Sequence, residues 1–321
     1  MKVLSLFDGI SCGRLALERA GIPIEKYYAS EIDKYAIQIA QKNYPDTIQI
    51  GDINKIHFTD FLDVDLIIGG SPCQDLSIAK QNREGLRGAR SGLFWRYVDA
   101  LATIRPKYFL LENVASMRND DRDAITETLR KIYPETECIM INSALVSAQQ
   151  RKRYYWTNWH VDQPNDKGIL LKDILETQDG IPAALRTRKD NTGKYKRLET
   201  KSDNKANSLT SVQTDSMICE PIRLGELDGL GKGQANRIYS VCGKSVCLNA
   251  NGGGGGAKTG LYKVDLPDGE YVVRKLTPIE CERLQTLPDG WTGGVSDTQR
   301  YKTIGNGWTV DVITHILKGV K

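Results

Sequence analysis

The sequence predicts an α/β protein with a doubly wound, mostly parallel sheet and a small, irregular, β-rich lobe inserted into it. Three observations carry this. Strand-like and helix-like segments alternate from Lys2 to Thr157. The runs Val64 to Ile68, broken only by Asp65, and Tyr108 to Leu111 are apolar, as in strands covered on both faces. Helical periodicity fades at Gln163 and returns at Leu276.

The elements follow in order. Lys2 to Phe7 reads as a strand, Gly13 to Ala20 as a helix and Lys26 to Ser30 as a second strand. Ala36, Ile39, Ala40 and Tyr44 then share one helical face. Asp65 to Ile68, Tyr108 to Leu111, Cys138 to Ile141 and Tyr154 to Thr157 read as further strands, with helices at Leu93 to Ile104 and Asp123 to Ile132. The stretch from 186 to 205 carries eight basic and three acidic residues, a local charge of +5, and five glycines follow at 252–256. Thr277-Pro278-Ile279-Glu280 is a capping box with Pro at the first helical position. A last helix spans Trp308 to Leu317. These helices return to the sheet, which makes 1–162 plus 275–321 one domain and 163–274 an inserted lobe.

Composition narrows the classes. The chain has 321 residues, 40% of them hydrophobic, and no apolar run long enough to span a membrane. Asp8 interrupts any signal-peptide core, so a cytoplasmic location is expected. Seven scattered cysteines read as reduced thiols. None of the three histidines has metal-ligand spacing, and Cys242 and Cys247 read as structural, so no metal is expected. A net charge of +4 permits nucleic-acid binding without arguing for it.

Parallel sheets of this kind bind ligands at the carboxyl ends of their strands. The first such turn is Leu6-Phe7-Asp8-Gly9-Ile10-Ser11-Cys12-Gly13. It departs from GxGxxG, so a dinucleotide is disfavoured. Asp8 could accept from a ligand ammonium or from loop amides. Glu31 follows the second strand, 23 residues later, where an acid grips ribose hydroxyls. Asp52 is placed for an adenine amino group. Acids so placed suit S-adenosylmethionine, which joins a sulfonium, a ribose and an adenine without phosphate.

The run Gly69-Gly70-Ser71-Pro72-Cys73-Gln74 sets a cysteine just past a strand end, behind a stiffening proline. That is the placement of a nucleophile. Glu112 ends another apolar strand and could bond or protonate a ring nitrogen in the ring that Cys73 attacks. Asn113 could brace the Pro72-Cys73 backbone. Arg151 and Arg153 alternate on a strand and so share a face. The segment from Gln74 to Gly92, with Arg83, Arg87 and Arg90, has the composition of a basic lid.

Together these residues make the chain resemble the DNA (cytosine-5) methyltransferases over nearly its whole length. The matching pieces are Phe7-Asp8-Gly9 with Gly13, Glu31, Asp52-Ile53, Ser71-Pro72-Cys73-Gln74, Glu112-Asn113-Val114, Gln149 with Arg151 and Arg153, Leu276 to Gln285, and Ile304-Gly305-Asn306-Gly307. The resemblance implies a class I, Rossmann-like methyltransferase fold. It implies Cys73 as nucleophile toward carbon 6 of a flipped cytosine, with methyl transfer to carbon 5. Glu112 becomes the partner of ring N3, with Pro72, Asn113, Arg151 and Arg153 in support. Implied cofactor residues are Phe7, Asp8, Gly9, Ser11, Cys12, Gly13, Glu31, Ile32, Asp52, Ile53, Gly70, Pro72, Asn306 and Trp308, the last covering the cofactor. Implied DNA contacts are Gln74, Ser77, Arg83, Arg87, Arg90 and Gln149. Residues 163–274 become the target-recognition domain. The family branch acting on transfer RNA carries Pro-Pro-Cys, where this chain has Ser-Pro-Cys. The resemblance therefore implies a stand-alone bacterial or phage enzyme on double-stranded DNA, monomeric, with a cognate restriction endonuclease as its expected companion.

Overall fold

A computed structural model describes residues 1–71, 92–176, 185–190, 193–198, 223–226, 237–248, 261–265 and 271–320, with backbone alone at 185–190, 193–198, 223–226, 265 and 271–273. Seven strands form the main sheet: β1 (Lys2–Leu6), β2 (Lys26–Ser30), β3 (Ile48–Gln49), β4 (Leu66–Gly70), β5 (Tyr108–Val114), β6 (Glu137–Asn142) and β7 (Lys152–Thr157). Their order is β3-β2-β1-β4-β5-β7-β6. The chain winds outward from β1 on both sides, so the switch point lies between β1 and β4. The pairs β1/β2, β2/β3, β1/β4 and β4/β5 are parallel. β7 runs antiparallel to both β5 and β6.

Strand side chains alternate between the two faces of the sheet. Val3, Leu66, Ile68 and Leu110 join one core with residues of α1 (Cys12–Arg19), α2 (Lys34–Asn43) and α7 (Val310–Leu317). Leu4, Leu6, Ile67, Phe109 and Leu111 join another with α3 (Gly92–Ile104) and α4 (Asn119–Arg130). Both faces are covered, which explains why these strands are apolar without alternation.

Helix starts follow local chemistry. The Asp33 carboxylate accepts from the Tyr35 amide at 2.9 Å and caps α2. Thr277 and Glu280 close the expected capping box on α5 (Pro278–Leu284). One helix has no counterpart in the sequence reading: α6 (Asp297–Asn306), which buries only Thr303, Ile304 and Gly305.

The inserted region holds β8 (Leu185–Asp190) and β9 (Gly193–Leu198) as an antiparallel pair, and a sheet of β10 (Arg223–Glu226), β11 (Arg237–Ser240), β12 (Leu261–Asp265) and β13 (Tyr271–Arg274). Tyr239, Val241, Leu248 and Tyr262 from this region share a core with Ala148, Leu276, Cys281, Leu284 and Ile304. Residues of this region thus pack directly on α5 and α6. The glycine run 252–256 lies outside the described residues.

Candidate active site

The first turn is tightly wound. Phe7, Gly9 and Ser11 all take left-handed backbone angles, with φ of 62°, 62° and 60°. For Phe7 and Ser11 this is a strained choice that surrounding contacts must hold in place. Asp8 supplies them. Its carboxylate accepts from the Ser11 hydroxyl at 2.6 Å and from the Tyr27 phenol at 2.7 Å. Each Asp8 oxygen thus has a partner within the protein, a hydroxyl rather than one of the loop amides weighed from the sequence. Burial pushes its carboxyl above the usual range, against the opposing hydroxyl bonds.

Glu31 ties the first two turns together. It accepts from the amides of Gly9 at 2.8 Å, Ile32 at 2.7 Å and Asp33 at 2.9 Å. A carboxylate offers about four lone-pair sites, so one remains for a ribose hydroxyl. Asp52 uses Oδ1 for the Asn54 amide and side chain, both at 3.0 Å. Ile32 is 75% exposed, the most exposed large apolar side chain among the described residues, while Ile53 is buried. A bare apolar side chain between two carboxylates suits the face of an adenine. Gly13 allows a close approach: a Cβ there would stand 2.4 Å from Ile68 Cδ1, and the buried isoleucine would have to shift. Cys12 is buried, its thiol pushed up to about 12 by desolvation. It packs under Gly307, where a Cβ would lie 3.2 Å from its sulfur. Asn306 is exposed at the end of α6.

Pro72, Cys73, Gln74, Ser77, Arg83, Arg87 and Arg90 lie outside the described residues, so the expected nucleophile and basic lid are not placed. The chain leading to them is placed. Gly70 sits beside Glu112 in the parallel β4/β5 pair. Ser71 is buried, and its hydroxyl accepts from Asn113 Nδ2 at 3.1 Å. Asn113 is thus positioned to brace the residue that enters Pro72-Cys73. From the sequence, Ser71 is only part of the Ser-Pro-Cys motif and has no assigned partner.

Because β7 is antiparallel, its beginning lies against the carboxyl end of β5, with Arg153 opposite Val114 and Tyr155 opposite Glu112. Arg153 Nε meets Glu112 Oε1 at 2.9 Å. Trp308 Nε1 donates to Glu112 Oε2 at 3.1 Å. The carboxylate, 9% exposed, is therefore gripped at both oxygens. Gly70 makes room for this, since a Cβ there would stand 2.7 Å from Oε2 and 2.9 Å from Trp308 Nε1.

Arg151 is buried and serves backbone rather than ligand. Its guanidinium donates to the carbonyls of Leu248 at 3.2 Å, Gly305 at 3.2 Å and Gly307 at 3.0 Å. Cys247 Sγ lies 3.5 Å from it. Burial works to raise the Cys247 thiol, but Arg151 and Arg153 outweigh it and the net shift is downward. Gln149 is corrected as a DNA contact: it is fully buried, donating to Leu284 O and Gln285 Oε1 at 3.3 Å and accepting from the Leu248 amide at 2.9 Å. Three further positions had no role assigned from the sequence. Gln285 donates to the carbonyls of Ile304 and Gly307, and Thr309 donates to Gln285. Lys244, 2% exposed, donates to the carbonyls of Ala144, Ser147 and Ile169. Among the described residues no group of three or more acidic, His or Cys side chains could hold a metal, and no helix is long and apolar enough to cross a membrane.

A doubly wound sheet with a clamped carboxyl at one strand end and an acid-lined first turn defines a group-transfer enzyme of the Rossmann-like methyltransferase class. The model of the C-5 cytosine-specific DNA methylases matches residues 1–321, and the chain belongs to that family of DNA (cytosine-5) methyltransferases. It is 29% identical to the type II methyltransferase M.HhaI of Haemophilus parahaemolyticus, over 98% of this chain and 93% of that one. It is 27% identical to the orphan methyltransferase M.SPRI of Bacillus phage SPR, over 99% and 97%. Among solved structures it superposes on the Entamoeba histolytica methyltransferase EhMeth with a TM-score of 0.68 at 16% identity, covering 99% and 97% of the two chains. A putative DNA modification methyltransferase from an E. coli prophage gives 0.66 at 19% identity, covering 100% and 98%.

Proposed function

We propose that this enzyme transfers a methyl group from S-adenosylmethionine to carbon 5 of a flipped-out cytosine within a specific duplex DNA sequence, through a covalent adduct of Cys73 at carbon 6. The observation that carries this is the Glu112 carboxyl, held by Arg153 and Trp308 at the strand edge from which the chain enters Pro72-Cys73. Carbon 5 is a poor nucleophile until a thiolate adds to carbon 6. That addition drives charge toward N3 and O2, where Glu112 would bond or protonate N3 and Arg153 would lie alongside. When bound, the cofactor supplies an electrophilic methyl on its sulfonium. A base or water then removes the carbon 5 proton, and Cys73 leaves. The residues that would hold the cofactor are the first-turn backbone, Glu31, exposed Ile32, Asp52 and Ile53. Flipping follows from the target atom being unreachable in a stacked duplex. Residues 163–274 would read the DNA sequence. We further propose a monomer in the cytoplasm of a bacterial or phage-infected cell, paired with a restriction endonuclease where the type II designation of its relatives holds for it.

Cytosine-methylation sequencing of DNA from a host expressing the protein, beside a Cys73→Ser control, tests the reading. Sequence-specific 5-methylcytosine that vanishes in the control is expected. Duplex carrying 5-fluorocytosine blocks the final elimination, so a covalent adduct at Cys73 should accumulate. An active preparation that forms no adduct would sink the thiolate mechanism.

A further inference from the structure

We infer that Trp308 is a positioning residue for the Glu112 carboxyl, and so for the chemical step rather than only a wall of the cofactor site. This rests on the reading that Glu112 meets the cytosine ring. The Trp308 indole N–H donates to Oε2 at 3.1 Å while Arg153 holds Oε1 at 2.9 Å. Two donors from different elements fix the plane of the carboxyl about its terminal torsion, which is otherwise broad. Each oxygen keeps a second lone pair, so the base can still be met.

The arrangement is built around this contact. Gly70 lacks the Cβ that would stand 2.7 Å from Oε2 and 2.9 Å from the indole nitrogen. Gly13 lets the far edge of the indole come close, with a would-be Cβ 3.3 Å from Trp308 Cζ3. The backbone just before Trp308 is pinned as well. The Gly307 carbonyl accepts from Arg151 at 3.0 Å and from Gln285 at 3.1 Å. Thr309 on the other side donates to Gln285 at 2.8 Å. An indole that only covered a ligand would have no use for a polar tip aimed at a carboxylate. Here the tip donates to the Glu112 carboxylate.

The test uses Trp308→Phe, which keeps a ring and removes the N–H. A hydrogen bond to a charged group supports a fall of roughly ten- to a hundred-fold in the single-turnover methyl-transfer rate. Affinities for S-adenosylmethionine and for duplex DNA should hold within about two-fold, which separates chemistry from binding. In a Glu112→Gln background the same substitution should cost almost nothing, because the amide oxygen goes to Arg153 and no acceptor is left for the indole. An unchanged rate, a loss confined to cofactor affinity, or an equal loss in both backgrounds would overturn the proposal. A Glu112→Gln variant with the wild-type rate would instead remove the underlying reading of Glu112, and the proposal with it. A second measurement needs no turnover. The Trp308 indole 15N–H resonance, assigned by its loss in Trp308→Phe, should move in Glu112→Gln, and a resonance that stays put contradicts the contact.

Discussion

Gly70→Ala places one methyl group where two functional atoms meet. The new Cβ would stand 2.7 Å from Glu112 Oε2 and 2.9 Å from Trp308 Nε1. Ordinary contact begins near 3.5 Å, so the carboxyl oxygen must retreat by about 0.8 Å and the indole by slightly less. Neither retreat is free. Glu112 is tethered through Oε1 to Arg153, and Trp308 follows a backbone pinned by Arg151 and Gln285. Overpacking of this kind costs about 1–3 kcal/mol of stability, which lowers the melting temperature without unfolding the protein. Displacing a reacting group by nearly 1 Å costs on the order of 100-fold in rate, about 2.7 kcal/mol of transition-state stabilisation. The assay is single-turnover transfer of a radiolabelled methyl group to duplex DNA, with a thermal melt of the same sample. Gly21→Ala is the control. Gly21 has φ 72° and nothing within 4 Å of a would-be Cβ, so it should lose about 1–2 kcal/mol of stability and no activity. A Gly70→Ala enzyme transferring methyl within about two-fold of the wild-type rate would refute the claim that this geometry sets the chemistry.

Two further outcomes follow from buried charge. Asp8 has its carboxyl raised by burial, so its contribution to stability is complete below the usual 3.8 and is lost as pH rises through the folded value. The melting-temperature difference between wild type and Asp8→Asn should therefore be most favourable to wild type near about pH 4 and shrink toward about pH 8, and a flat difference would contradict the buried ionisation. Lys244→Met removes the ammonium that bonds the carbonyls of Ala144, Ser147 and Ile169, and should lower unfolding stability by about 2–4 kcal/mol in urea titration. An unchanged midpoint would mean water or relaxation replaces those bonds.

The legible parts of the sequence were those fixed by local pattern. Continuous apolar strands and the α1 and α7 helices came through because their buried residues recur at short spacing, and α5 because its Thr277–Glu280 box acts within a few residues. Polar partners chosen across the fold did not come through. The Tyr27 phenol that bonds Asp8 is brought to it only by the β1/β2 pairing. Gln149 reads as a DNA contact until α5 and the Cys247–Leu248 backbone close over it. Helix α6 escaped because Asp297 to Asn306 carries no apolar stripe; two of the three residues it buries are Thr303 and Gly305. The direction of β7 is likewise silent in spacing, yet it alone brings Arg153 to Glu112.

The antiparallel β7 also explains why the two arginines divide their work. Arg153 lies within the strand and meets the carboxyl end of β5, so its charge reaches Glu112. Arg151 lies just before the strand, where the Cys247–Leu248 segment and the Gly305–Gly307 turn converge. A guanidinium buried there needs several acceptors, because each unmet donor in the interior costs stability. Carbonyls from the two segments satisfy it, and the Cys247 thiol, shifted downward on balance, adds a soft acceptor. A lysine there would replace the planar fork with a single ammonium and lose its paired donor geometry. One side chain thus joins the backbone at Leu248 to the turn that carries Trp308. Trp308 in turn touches Glu112. Three hydrogen bonds therefore lie between the Leu248 backbone and the Glu112 carboxyl.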